Sequence, residues 1–174
     1  MTKILVVEDM DSLREEIIET LTYEGFEVIG AENGAVGVEL ALKHLPNLII
    51  CDVMMPELNG YETLTTLRRE PSTATIPFVF LTAKADKVDM RQGMQLGADD
   101  YLTKPFTIEE LLGAISARLA KQAILQNHFD QEIQQAESRM EYFARHDELT
   151  NLPNRVLFHD SLQQAVAHAR RQRQ

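Results

Sequence analysis

Residues able to do chemistry stand just after four short apolar runs of the chain. Glu8 and Asp9 follow the first run, Asp52 the third, Thr82 the fourth and Lys104 the fifth. Three carboxylates held close together repel one another, and a divalent cation relieves that cost. Oxygen ligands suit Mg²⁺, while a hydroxyl and an ammonium can bind the oxygens of a phosphoryl group. Asp52 is therefore a candidate nucleophile that attacks phosphorus and becomes an aspartyl phosphate.

The segment 47–60, NLIICDVMMPELNG, carries the central member of this set. Its run from Leu48 to Cys51 is apolar throughout, as in a parallel strand buried on both faces. Asp52 then stands at the carboxyl end of the strand, where open α/β sheets place their sites. Taken alone, this stretch fits an ordinary turn-capping aspartate equally well.

Five β-rich runs alternate with five helical patterns along the first two thirds of the chain. The strands are predicted at 3–7, 26–29, 48–51, 77–81 and 100–103, and the helices near 11–25, 34–45, 61–69, 86–96 and from 109 onward. Short connections between alternating strands and helices predict a doubly wound parallel sheet with the flavodoxin-like strand order 2-1-3-4-5. Strands 1, 3, 4 and 5 are neighbours in that order, so their polar ends converge on one edge.

Local signals mark the ends of several of these helices. Asp11 and Ser12 are predicted to cap the first helix, and the Asn33-Gly34 pair turns the chain into the second. In the third helix, Leu64 and Leu67 have the spacing of residues that face a core.

Composition narrows the class of protein. The length of 174 residues allows one good core with an appendage, and the net charge of -10 argues against a broad nucleic-acid-binding surface. The single cysteine, Cys51, lies within an apolar run and is expected to be a core residue rather than a redox sensor. The sequence shows no membrane-spanning run and no signal-peptide pattern, so we predict a cytoplasmic protein.

The polar strand ends form an ordered set that resembles a response-regulator receiver domain over residues 1 to about 125. The matching residues are Glu8-Asp9, Asp52-Val53-Met54-Met55-Pro56, Gly60, Thr82-Ala83 and Lys104-Pro105-Phe106. The resemblance implies that Asp52 is the phosphoacceptor and that a histidine kinase or phosphotransfer protein is the partner. It also implies Mg²⁺ as cofactor, held by Glu8, Asp9, Asp52 and the backbone carbonyl of Met54.

The resemblance assigns roles to three further residues. Thr82 corresponds to the hydroxyl that moves onto the phosphoryl group, Lys104 to the ammonium that pairs with Asp52, and Tyr101 to the aromatic switch residue. The family commonly has a cis peptide bond before the proline, here Lys104-Pro105, and an X-Pro bond lowers its cost. Other interpretations stay open: an ion pair in a degenerate receiver, or a Tyr101 that serves only an interface.

A helical pattern continues from residue 108 to 146 without proline. Residues at alternating steps of four and three form a coiled-coil stripe, broken by two glutamines. The stripe consists of Ile108, Leu112, Ile115, Leu119, Gln122, Gln126, Phe129, Ile133, Ala136, Met140 and Phe143. We predict that residues 108–146 form a parallel homodimer, and the alternative is a helix that packs back on its own domain.

The segment after this helix carries the pattern D-x-L-T-x-L-x-N-R between Asp147 and Arg155, with Asn154 as a candidate helix N-cap. This pattern resembles the start of a GGDEF domain, the diguanylate cyclase fold. The two resemblances together imply a receiver at 1–125, a signalling helix at 126–146 and the truncated beginning of a cyclase domain at 147–174. We expect residues 151–174 to be mobile, swapped or docked on a neighbour.

Together these features predict a two-component response regulator whose phosphorylation controls a diguanylate cyclase output through a helical dimer. The cyclase catalytic part is absent from the sequence, so the chain itself is not expected to make cyclic di-GMP. One alternative is a receiver and coiled coil that act as a binding module with a degenerate output. Another is a GGDEF domain followed by a phosphodiesterase. A DNA-binding output is disfavoured because no helix-turn-helix pattern or basic patch follows the receiver.

Overall fold

The computed structural model describes residues 1–83, 95–147, 150, 152–159 and 162–163. The chain divides into two compact units, Met1–Ala123 and Ile124–Gln174. The helix predicted over 86–96 lies almost wholly outside the described residues, and so does most of the segment after Asn154, the candidate N-cap of a further helix.

The first unit is built on a five-stranded parallel sheet. Its strand order is β2-β1-β3-β4-β5, so the predicted flavodoxin-like topology is confirmed. The strands are β1 (Lys3–Val7), β2 (Glu27–Ala31), β3 (Leu48–Asp52), β4 (Phe78–Thr82) and β5 (Asp100–Thr103). Asp52 and Thr82 are the last residues of their strands rather than the first residues after them.

Four helices of ten or more residues are described: α1 (Asp11–Tyr23), α2 (Gly34–His44), α3 (Gly60–Arg69) and α4 (Ile108–Arg145). Residues 155–159 form a further, short helical segment. The prediction that Asp11 and Ser12 cap α1 is wrong. Met10 occupies the N-cap without a capping side chain, and Asp11 is the first helical residue. Asn33 caps α2 through its side-chain oxygen, which accepts a hydrogen bond from the Val36 amide at 2.8 Å.

Apolar side chains cover both faces of the sheet. One face packs against α2 and α3 and includes Leu64 and Leu67, both fully buried as predicted. The other face packs against α1 and the beginning of α4, whose Leu111 and Ile115 are fully buried. Strand β3 is buried along its whole length because it lies between β1 and β4 with helices on both sides.

The predicted stripe on α4 separates into two parts. Ile115 is buried in the receiver core, with Leu112 and Leu119 packed against it. Ile115 is therefore already covered within the receiver, whereas Leu112 and Leu119 are only partly buried and Ile108 is exposed. Every residue from 123 to 145 is exposed, including Phe129 and Met140.

The chain turns sharply after α4. His146 and Pro153 form an antiparallel bridge, and the Asn154 amide donates to the Arg145 carbonyl at 2.8 Å. The Asn154 side chain accepts from the amides of Val156 and Leu157 at 3.0 and 3.2 Å, so its predicted capping role is confirmed. Most of 151–174, the stretch expected to be mobile or docked, lies outside the described residues.

Candidate functional site

The carboxyl ends of β1, β3 and β5 bring two carboxylates and one ammonium into direct contact. The Lys104 Nζ lies 2.7 Å from Glu8 Oε2 and 3.0 Å from Asp52 Oδ2. Glu8 is 1% exposed and Asp52 7% exposed, so both carboxylates are largely withdrawn from water. The lysine was predicted to pair with Asp52, and the structure shows that it also holds Glu8, at the shorter distance.

Glu8 is fixed through its backbone as well as its side chain. Its amide donates to the Ala31 carbonyl of β2 at 3.0 Å. Its own carbonyl accepts from Arg14 Nη1 at 2.7 Å, and its Oε1 accepts from the Met10 amide at 3.4 Å. Arg14 was not among the predicted site residues. The only sequence signal for it is its i, i+3 spacing from Asp11, with which it forms an ion pair.

Asp52 owes its position to close packing behind the strand end. A Cβ placed on Gly60 would lie 2.4 Å from the Asp52 carbonyl oxygen, so only glycine fits where α3 begins. The Gly60 amide donates to the Val53 carbonyl and the Val53 amide to the Leu81 carbonyl, both at 3.0 Å. These contacts tie the loop after β3 to the neighbouring strand.

Thr82 and Tyr101 lie on the β4 and β5 side of the site. Thr82 is buried at the end of β4, and its carbonyl accepts from the Lys104 amide at 2.7 Å. The half-buried Tyr101 ring stacks on Phe80 of β4, with centroids 5.1 Å apart. The Lys104-Pro105 peptide bond is cis, as the resemblance implied.

The sulfur-containing residues around Asp52 differ in their surroundings. Met54 is 75% exposed beside the site, whereas Met55 is buried in the core. Cys51 is fully buried, and its thiol donates to the Asp52 carbonyl at 3.2 Å. Burial raises the pKa of the Cys51 thiol, with a further contribution from the Asp52 charge. The thiol therefore stays protonated, as expected of a core cysteine.

The electrostatics of the cluster reflect burial opposed by pairing. Burial raises the pKa of Glu8, and the Lys104 hydrogen bond lowers it without cancelling the rise. Burial alone would lower the pKa of Lys104, but its hydrogen bonds to Glu8 and Asp52 outweigh burial and raise it. Lys104 is therefore a firmly charged ammonium between two carboxylates that repel each other.

The donor set fits a hard divalent cation. Glu8, Asp9 and Asp52 each offer a carboxylate oxygen, and these atoms lie within 4.8 Å of one another. Asp9 is exposed, so the cluster opens to solvent on one side. Carboxylate oxygens that leave room for water are the ligands that Mg²⁺ prefers.

Comparison with known proteins places this fold and site in one family. The family model described as "Response regulator receiver domain" matches residues 4–116. The chain belongs to the response regulator receiver domain family. It is similar to the response regulator ArlR of Staphylococcus aureus, with 43% identity over 122 residues that cover 70% of this chain and 54% of ArlR. The chain thus spans about half the length of the curated relatives it matches.

Solved structures support the same assignment. A putative response regulator from Chloroflexus aurantiacus is 36% identical, with a TM-score of 0.65, and the match covers 68% of this chain and 98% of that one. The receiver domain of the sensor histidine kinase PA1611 from Pseudomonas aeruginosa is 29% identical, with a TM-score of 0.64 and the same coverages. That structure has a magnesium ion coordinated in its active-site cleft.

The family assignment establishes the coarse function. The first unit is a two-component receiver domain, a class that takes its phosphoryl group from histidine kinases and binds Mg²⁺ in an acidic pocket, here the cluster of Glu8, Asp9 and Asp52. Among the residues that the structure describes, no helix has the length and apolar character needed to cross a bilayer.

Proposed function

We propose that Asp52 accepts a phosphoryl group from the phosphohistidine of a histidine kinase or phosphotransfer protein, in a Mg²⁺-dependent reaction. The observation that carries this proposal is the shared contact of Glu8 and Asp52 with Lys104, beside an Asp9 carboxylate within ligand distance. A buried carboxylate at a strand end, paired with a fixed ammonium, is positioned to act as a nucleophile.

The transfer step assigns a role to each group. A carboxylate oxygen of Asp52 attacks phosphorus, the phosphorus–nitrogen bond of the donor breaks, and its electron pair returns to the donor imidazole. Glu8, Asp9, Asp52 and the Met54 carbonyl would hold Mg²⁺, which supplies positive charge for the oxygens of the transferring group. Lys104 neutralises Asp52 before the reaction and binds a phosphoryl oxygen after it.

The new phosphoryl group would be sensed on the β4 and β5 side of the site. Thr82 would donate its hydroxyl to a phosphoryl oxygen, and its shift would change the space beside Tyr101. The Tyr101 ring packs on Phe80, which lies two residues before Thr82 on β4. The two switch residues are therefore close to each other on paired strands. A local change of charge would thereby alter the surface around β5.

Phosphorylation with a small phosphodonor tests this proposal. The chain is incubated with acetyl phosphate and Mg²⁺, and intact-mass spectrometry counts the added phosphoryl groups. We expect one group on the wild type and on D130N, which removes an exposed aspartate of α4, and none on D52N. Equal labelling of D52N and wild type would exclude Asp52 as the acceptor.

We further propose that the receiver controls a diguanylate cyclase output through helix pairing. The exposed Phe129, Ile133, Met140 and Phe143 of α4 supply an apolar surface for a second copy, and the capped turn at Asn154 supports the GGDEF resemblance of 147–174. The corresponding divisions are 1–125, 126–146 and 147–174. A degenerate binding module and a following phosphodiesterase domain are the alternative outputs.

Sedimentation tests the helix pairing on which this control depends. The chain is run with Mg²⁺ before and after addition of beryllofluoride, beside D52N and a variant carrying both F129S and I133S. A dimer that depends on Phe129 and Ile133, and responds to beryllofluoride only when Asp52 is present, supports the proposal. A monomeric mass under all conditions would refute pairing through α4.

A further inference from the structure

Arg14 contacts the part of the chain that carries two of the three acidic ligands. It lies in the first turn and a half of α1, and its side chain is only 15% exposed. Its Nη1 donates to the Glu8 carbonyl at 2.7 Å, while its Nη2 pairs with the Asp11 carboxylate. One guanidinium therefore joins the end of β1 to the start of α1, on either side of Asp9 and Met10.

The fold also prepares a place for the Arg14 stem. A Cβ on Gly30 of β2 would lie 2.7 Å from Ile18 Cδ1 and 3.4 Å from Arg14 Cδ, so the glycine leaves the space that these side chains fill. The Arg14 amide donates to the Met10 carbonyl at 2.9 Å, which holds the helix start against the same loop. Because its aliphatic stem is packed and its guanidinium has two fixed partners, the Arg14 side chain is held in one conformation.

We propose that Arg14 is a positioning residue that aims the Glu8 and Asp9 carboxylates at the divalent cation. The Glu8 carbonyl belongs to the peptide unit that leads into Asp9, so holding it sets the direction of both side chains. The Glu8 amide is held separately, by the Ala31 carbonyl at 3.0 Å. Without Arg14, the peptide unit between Glu8 and Asp9 would lose this restraint. This inference rests on the proposed Mg²⁺ site.

Charge and positioning predict opposite effects when Arg14 is removed. Arg14 is a cation close to a cation site, so Coulomb repulsion alone predicts that its loss tightens Mg²⁺ binding. A lost restraint predicts weaker binding, because groups that orient metal ligands contribute about tenfold or more to metal affinity. The sign of the change therefore distinguishes the two roles.

The test is an NMR titration of the ¹⁵N-labelled full chain with MgCl₂, following the amides of residues 8–11. R14M is compared with wild type, with R14K and with K3M. Lys3 pairs with Glu27 at the other end of β1, about 16 Å from Glu8 along an extended strand, so K3M removes one positive charge away from the loop. E8Q and D9N test the metal site itself, and thermal unfolding confirms that each variant is folded.

We expect R14M to bind Mg²⁺ about tenfold more weakly than wild type, and K3M to bind as wild type does. R14K keeps the charge but cannot hold Glu8 and Asp11 together as the planar fork does, so its affinity should fall in between. R14M or R14K binding Mg²⁺ as tightly as wild type, or more tightly, would overturn the positioning role. If R14M does not fold, R14K decides alone. Unchanged binding in E8Q and D9N would instead refute the metal site, and with it the inference.

Discussion

Replacement of Lys104 by methionine is the most direct test of how the acidic cluster is stabilised. The lysine lies between Glu8 and Asp52, both largely buried, at 2.7 and 3.0 Å. Methionine preserves the length and apolar character of the stem but removes the charge. Two carboxylates would then face each other without the ammonium that separates them in this structure.

Two effects set the magnitude. Removal of one partner from a buried ion pair commonly costs roughly 3–5 kcal/mol. A proton can take the place of the lysine, however, and this limits the loss. Protonation of a glutamate with an ordinary pKa of 4.5 at pH 7 costs 2.5 pH units, which is about 3 kcal/mol. We therefore expect K104M to lose about 2–3 kcal/mol of unfolding free energy at pH 7.

The loss should depend on pH with a definite sign. Burial already raises the pKa of Glu8 in the wild type, and the Lys104 hydrogen bond that opposes this rise is absent from the variant. The folded variant therefore binds a proton at pH values where the unfolded chain does not. Its stability should fall as pH rises from about 4.5 through the folded pKa, and the penalty should shrink toward pH 4.5.

Urea unfolding followed by circular dichroism, at pH 5 and pH 7.5 without Mg²⁺, measures both quantities. K121M is the matched control because Lys121 is an exposed lysine of α4. We expect K121M to be nearly unchanged at both pH values and K104M to be destabilised mainly at pH 7.5. Equal stability of K104M and wild type at pH 7.5, or a larger loss at pH 5, would refute this account of the cluster.

Three further predictions concern the same edge of the sheet. G60A should lower the unfolding free energy by about 1–3 kcal/mol, because the new Cβ would lie 2.4 Å from the Asp52 carbonyl oxygen. Thermal unfolding measures this loss, and an unchanged midpoint temperature would contradict it. E57G should stabilise the chain by roughly 0.5–1 kcal/mol in urea unfolding, because Glu57 adopts a left-handed φ of 66°, and a loss would argue against strain there. Burial raises the pKa of Glu8, so this carboxylate gains its proton, and Mg²⁺ affinity starts to decrease, before the pH has been lowered to 4.5. Calorimetric titration with Mg²⁺ at several pH values measures this, and an affinity that stays constant down to pH 4.5 would contradict it.

The sheet and the main site residues could be predicted because the relevant information is local in sequence. Strands such as Lys3–Val7 and Leu48–Asp52 are short apolar runs, and each polar end follows directly from its run. Once the strand order is inferred, the fold itself brings Glu8, Asp52 and Lys104 together. The sequence does not fix the exact residue at which each strand ends, which is why Asp52 is predicted one residue outside β3.

Arg14 could not be found in the same way, because its role depends on a helix crossing a loop. The i, i+3 pair with Asp11 occurs on many exposed helix surfaces and carries little information. The decisive contact is with the Glu8 backbone carbonyl, a group that every residue type provides equally. The contact of Lys104 with Glu8 escaped prediction for a related reason, since the reach of a long side chain depends on the twist of the sheet.

The stripe on α4 shows what periodicity leaves undetermined. A regular spacing of apolar residues indicates that one face of a helix packs against something, but it does not identify the packing partner. In this chain Leu111 and Ile115 are covered by the receiver sheet, whereas all residues from 123 to 145 are exposed. In proteins most of the stability of a helix comes from the packing of its apolar face rather than from the helix alone. The exposed Phe129, Ile133, Met140 and Phe143 therefore favour a partner for the second half of α4, and a second copy of the chain brings the same apolar surface to meet it.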